Sequence, residues 1–136
     1  MKFTTYLNFD GKCAEAFQFY AGLFGGEITY MQTFRDSPMA DQVDDTWKDS
    51  VLHATLKIGD DTLMGSDAPP PRYQTPAGFS VTFATSDLVR AEHVFAALTE
   101  GGTITLPLQE TFWAPRFGMV TDRFGTPWMI NGETPA

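Results

Sequence analysis

The sequence predicts an α+β fold built from two βαβββ modules, and three observations predict it. Strand-like and helix-like segments run in the order strand, helix, three strands, and the order then repeats. Tyr20-Ala21-Gly22-Leu23 matches Phe95-Ala96-Ala97-Leu98, each soon followed by Gly-Gly and a Thr/Ile strand. Thr62-Leu63-Met64 matches Pro127-Trp128-Met129, after a glycine-containing turn in both cases. The shared order of these likenesses points to a duplicated unit. Module one spans about 1–67 and module two about 78–136, joined by a linker at 68–77. At 136 residues, size makes this one domain with room for a real core.

Phe3–Phe9 is rich in β-branched and aromatic residues and predicts the first strand. Asp10-Gly11 breaks it, and the apolar stripe of Cys13, Ala16, Phe17, Tyr20, Leu23 and Phe24 predicts a helix over Lys12–Phe24. Gly25-Gly26 ends that helix. Glu27–Phe34 is a second strand. Arg35–Ser50 is polar, holds Pro38 and reads as a long loop with short helical turns, whose Met39, Val43 and Trp47 could fold back. Val51–Ile58 and Thr62–Ser66 are strands around a tight Gly59-Asp60-Asp61 turn. Asp67–Ala77 carries four prolines and no periodicity. Gly78–Thr85 is a clean alternating strand. Ser86 is the expected N-cap of a second helix, with Asp87 in its first turn and a stripe of Leu88, Ala91, Phe95 and Leu98. Thr103–Leu108, Phe117–Thr121 and Pro127–Asn131 complete the strands.

Composition excludes several functions. A net charge of −8 argues against nucleic-acid and anionic-membrane partners. The single Cys13 excludes an internal disulfide. No basic n-region, apolar h-region or spanning segment follows Met1, so a soluble cytoplasmic protein is expected. Aromatic residues make up 14%, a surplus that goes to a core, a ligand cavity or a subunit interface.

Four stretches carry a family likeness: Tyr6–Tyr20 (YLNFDGKCAEAFQFY), Phe24–Met31 (FGGEITYM), His53–Asp67 (HATLKIGDDTLMGSD) and Leu108–Asn131 (LQETFWAPRFGMVTDRFGTPWMIN). Together they cover nearly the whole chain, which resembles the vicinal oxygen chelate superfamily of glyoxalase I, bleomycin-resistance proteins and extradiol dioxygenases. It is most similar to the PhnB-like branch, often labelled demethylubiquinone methyltransferase-like. The resemblance implies an eight-stranded glyoxalase-like fold, with curved mixed or antiparallel sheets around a cavity and pairing completed in a homodimer. The methyltransferase label implies little, because no glycine-rich turn follows the first strand to hold S-adenosylmethionine.

Metal-dependent relatives hold one divalent ion with His, Glu or Gln from the first and last strands of each module. Counted from the helix and turn landmarks, those places correspond roughly to Thr5, Met64, Ser80 and Met129. None is a competent hard or borderline ligand, so neither a metal nor another cofactor is expected.

His53 is the best remaining titratable candidate. On its strand Leu52, Ala54, Leu56 and Ile58 form one face and Val51, His53, Thr55 and Lys57 the other. If the first packs on helices, His53 meets the cavity as a hydrogen-bond donor, general base or single metal ligand. The alternative is a histidine satisfied by a neighbouring carbonyl or hydroxyl. Arg116, beside Trp113 and Phe117, suits an oxyanion; its alternative is a salt bridge, for instance with Glu110. His93 is expected in solvent, Arg123 in a surface ion pair and Cys13 buried as a small hydrophobe.

Alternation places Met119, Met129, Asn131, Ser80 and Thr82 in the cavity and Trp128 under a helix. Thr5, Leu7, Met64, Trp113 and Phe117 complete the expected ligand-binding set, Trp113 and Phe117 having core packing as their alternative. Such a cavity suits a small, partly aromatic or amphipathic organic molecule. Binding or sequestration is the expected activity; a lyase, isomerase or oxygenase-type enzyme using His53 and Arg116 is the alternative.

Overall fold

Strand, helix and three strands follow one another twice in a computed structural model that describes residues 1–135. The chain divides between Gln74 and Thr75, inside the expected linker, into two units. In the first, β1 (Thr5–Phe9), α1 (Cys13–Phe24), β2 (Glu27–Thr33), β3 (Val51–Ile58) and β4 (Asp61–Asp67) follow in order. They form a sheet of order β1-β4-β3-β2, with β1 parallel to β4 and the other pairs antiparallel. In the second, β5 (Val81–Thr85), α2 (Leu88–Thr99), β6 (Thr103–Gln109), β7 (Arg116–Thr121) and β8 (Pro127–Gly132) repeat the arrangement as β5-β8-β7-β6. Again the first strand is parallel to the last. The α+β class with mixed four-stranded sheets is therefore observed in each unit.

Each helix lies on one face of its own sheet, because its apolar stripe can be buried nowhere else within the unit. In the first unit Phe17 and Tyr20 of α1 are fully buried with Leu7, Phe9, Ala54 and Leu56. In the second, Val94 and Leu98 of α2 pack in the core with Val120, Trp128 and Ile130. Gly25 stops α1 in the left-handed conformation at φ 71°, its N–H bonded to the Ala21 carbonyl. The N-cap of α2 is Asp87 rather than Ser86: its carboxylate accepts from the Arg90 amide at 3.1 Å. Asp reaches that amide as well as Ser does and adds a negative charge at the helix end.

α1 is capped from a distance. Lys12 supplies no capping bond, and the Cys13 amide donates instead to Asp67 Oδ1 at 2.9 Å. The other carboxylate oxygen of Asp67 accepts from the Val51 amide at 2.8 Å. One buried side chain at the end of β4 thus ties the starts of α1 and β3 together. Burial pushes the Asp67 carboxyl above its usual range, with the Val51, Cys13 and Gly11 amides pulling it back.

The 35–50 segment contains two short 3₁₀ turns, Ala40–Gln42 and Asp45–Trp47, and is closed by an Arg35–Asp49 ion pair. Trp47 folds back against the β1–α1 turn, 3.8 Å from where a Cβ on Gly11 would lie.

Candidate functional site

The helix-free face of the first sheet is built from β1, β3 and β4, and its composition follows from the strand register. Tyr6 pairs with Met64 and Asn8 with Ser66, while Thr55 pairs with Met64 across the sheet. Leu7, Gly65 and Ala54 occupy the alternate, helix-facing row; a Cβ on Gly65 would meet the Phe17 ring.

Leu7, expected among the ligand-binding residues, is therefore core at 1% exposure. Thr5 shares its parity and lies exposed at the strand's start, opposite Leu63. Both corrections have one cause: a one-residue slip in reading β1 moves every side chain to the other face. The residues that occupy the open face are Tyr6 and Asn8.

His53 lies on this face between two tyrosines. Its ring stacks on Tyr6, with centroids 5.6 Å apart and planes at 24°, and lies 5.8 Å from the Tyr30 ring. Nδ1 shares a 3.1 Å hydrogen bond with the Tyr6 hydroxyl, and Nε2 lies 3.4 Å from Thr55 Oγ1. Tyr30 is itself held, its hydroxyl donating to Gln32 Oε1 at 2.8 Å. Each imidazole nitrogen thus has a hydroxyl neighbour. That arrangement satisfies the ring and also leaves a group that can exchange a proton with a hydroxyl.

The alternation expected along β3 is broken at its start. The register passes from Gln32–His53 to Thr33–Val51, so one extra residue, Leu52, is accommodated there. Val51 turns into the core at 1% exposure. Leu52 lines a cavity of about 320 Å³ with Asn8, Ser66, Phe34, Met39 and Arg72. Apolar walls, an amide, a hydroxyl and a guanidinium are the mixture that a small amphipathic molecule requires.

The second unit has its own helix-free face, carrying Thr82 and Met129 as one pair, Met119 beside Met129, and Phe117 beside Asn131. Ser80 precedes β5 with the parity of Thr82. Trp113 packs on Phe117, with centroids 5.3 Å apart. The Asn131 side-chain oxygen Oδ1 is buried and without a hydrogen-bond partner among the described residues.

Trp128 lies on the opposite face, buried, its indole N–H donating to Asp122 Oδ2 at 2.9 Å. Asp122 Oδ1 accepts from the Phe124 and Thr126 amides, so this carboxylate shapes the turn into β8. Arg123 lies over the Phe124 ring, 4.4 Å from its centre.

Arg116 does not join these residues. It pairs with Gly132 on the α2 side of the sheet, where its Nε donates to Glu92 Oε1 at 3.2 Å and Nη1 to the Pro115 carbonyl at 2.7 Å. Phe117, its neighbour, takes the other face by alternation. Arg116 is therefore a partly exposed surface ion pair, of little energetic weight, and not an oxyanion holder on the open face.

The fold implies a divalent ion and the methyltransferase label implies S-adenosylmethionine; the residues fit neither. Tyr6 and Met64 hold the paired first- and last-strand places in one unit, Thr82 and Met129 in the other. Hydroxyls and thioethers are poor donors for hard or borderline divalent ions. Among the described residues no group of three His, Cys, Asp or Glu comes together. At the first strand–helix turn the Cys13 amide of α1 is already taken by Asp67.

Residues 1–131 match the model of a family described as 3-demethylubiquinone-9 3-methyltransferase. Protein YjdN of Escherichia coli (strain K12) is 34% identical over 142 residues, covering 96% of this chain and 95% of its own. Protein PA1353 from Pseudomonas aeruginosa superposes with a TM-score of 0.87 at 42% identity, over 98% of each chain. A putative 3-demethylubiquinone-9 3-methyltransferase, PhnB protein, from Bacillus cereus gives 0.81 at 26%, over 96% of this chain and 98% of its own. The fosfomycin resistance protein FosX from Listeria monocytogenes shares the fold alone, at a TM-score of 0.65 and 12% identity over 96% and 90% of the two chains.

Proposed function

For a chain that belongs to the 3-demethylubiquinone-9 3-methyltransferase family, in the PhnB-like branch of the vicinal oxygen chelate superfamily, we propose binding of a small organic molecule without a tightly held metal. One observation carries this: the helix-free face of the first sheet bears both the His53 ring, stacked on Tyr6 with Tyr30 beside it, and the Asn8 and Ser66 side chains that line a cavity with Leu52. The rings offer a surface for a flat or aromatic group, and the amide and hydroxyls orient its polar edge. The compartment that fits is the cytoplasm. No helix among the described residues is long and apolar enough to cross a membrane.

A thermal-shift screen of small aromatic and amphipathic compounds tests it. A ligand at a hundred times its Kd should add about 2.7 kcal/mol of stability. Replacing Tyr6 by Leu should weaken the same compound by about 0.5–1.5 kcal/mol, the worth of a ring contact. A stabilising compound indifferent to both Tyr6→Leu and His53→Ala would place binding elsewhere. Stoichiometric divalent metal, lost on His53→Ala in protein purified without chelators, would overturn the metal-free part.

An enzyme of the same fold is the alternative, favoured by the hydroxyl at each nitrogen of His53. The orienting partner that a general base needs is present in Tyr6. The oxyanion partner expected of Arg116 is absent, since that side chain holds Glu92.

A further inference from the structure

The tip of the β6–β7 hairpin carries a second, separate concavity in the other unit. Glu110, Phe112, Trp113, Pro115 and Thr134 border a space of about 240 Å³. Phe112 is 98% exposed and Trp113 56%, a large apolar area to leave in water. Their rings meet edge to face, 4.7 Å between centroids and 83° between planes, as two perpendicular walls.

The tip is held in shape by its own hydrogen bonds. The Thr111 amide donates to the Ala114 carbonyl at 2.9 Å and the Ala114 amide to Thr111 Oγ1 at 3.2 Å, with Ala114 buried. The backbone that carries both rings is therefore fixed in advance, and Trp113 also rests on Phe117, which lowers the ordering cost of binding. Glu110 makes no ion pair among the described residues, because Arg116 pairs with Glu92 instead.

We propose that Glu110, Phe112 and Trp113 form a site for an organic cation of the alkylammonium class. Aromatic faces attract a weakly hydrated cation through the ring quadrupole, with Trp the strongest, and an adjacent carboxylate supplies the countercharge. The chain's net charge of −8 favours the approach of a cation over that of an anion. Nothing here depends on the Tyr6–His53 face, so either site can fail without the other.

The test is titration of the full chain with choline and with 3,3-dimethylbutan-1-ol, its uncharged analogue of the same shape, followed by tryptophan fluorescence and by the Trp113 indole N–H resonance. Choline should shift both signals saturably and the alcohol should not. Glu110→Gln should weaken choline roughly three- to tenfold, Trp113→Phe should retain part of the binding, and Trp113→Leu should abolish it. An equal response to the alcohol would overturn the proposal, as would choline binding unchanged in Glu110→Gln and Trp113→Leu, or no saturable response. A dimer that Trp113→Leu dissociates would reassign the rings to a subunit contact and likewise end it.

Discussion

Cys13 shows what burial does to one reactive atom. It is fully buried at the start of α1, and desolvation, with the Asp67 carboxylate adding, pushes its thiol far above the ordinary range. Because the folded value is raised, the group's stabilising contribution is complete below its unfolded value near about 8.5 and is lost as pH climbs beyond it. Native protein should therefore resist thiol reagents at neutral pH. Stability should also fall in alkali by an extra ~1.4 kcal/mol per pH unit relative to Cys13→Ala. Urea unfolding of both proteins at several alkaline pH values measures the difference, and parallel curves would rule the coupling out.

That Cys13 would be buried was readable from its place on the helix stripe; that Asp67 would cap the same helix was not. The partner comes from β4, and nothing local to either residue marks the pair. The tyrosines around His53 were hidden for the same reason, since stacking across three strands depends on register. In FTTYLNF, Phe3, Tyr6, Leu7 and Phe9 place apolar bodies on both parities, so the side facing the helix was undetermined.

Among elements, the strands and helices were legible because their spacing is local, and their ends moved by at most three residues, at the start of β5. The irregularity in β3 was not, although it decides that Leu52 lines the cavity while Val51 does not. Two glycines test the packing between α1 and its sheet. A Cβ on Gly65 would lie 2.9 Å from the Leu7 carbonyl oxygen and 3.0 Å from the Phe17 ring. Gly65→Ala should thus cost ~1–3 kcal/mol, since backbone and a buried ring cannot yield freely. Gly22, within α1, has nothing within 4 Å of that position, and Gly22→Ala should gain ~0.5–1 kcal/mol. Urea midpoints at constant slope measure both. A neutral Gly65→Ala would mean that α1 does not rest against that strand.

At the scale of the molecule, the repeated order and the family likeness were legible together; the element order of the structure shows the first and the family match the second. What the chain binds was less so. Of the two readings of Arg116, the structure has the ion pair, with Glu92 rather than Glu110, and Tyr6 and Tyr30 were not among the expected site residues. Subunit pairing is proposed through aromatic side chains near the linker and the 35–50 segment; Phe79, just past the linker, is 46% exposed. Light scattering should give twice the 15.1 kDa chain mass, and a monomer at every concentration would dismiss the pairing.

The parallel partnership of first strand with last has its own consequence for synthesis. β1 leaves the ribosome before every other strand of its unit, yet among the described residues its neighbour in the sheet is β4, the final one to be made. The opening segment must wait, unpaired, while the intervening helix and hairpin are translated. Closing that long loop is an entropic toll levied once in each half of the chain, at the moment its last strand emerges.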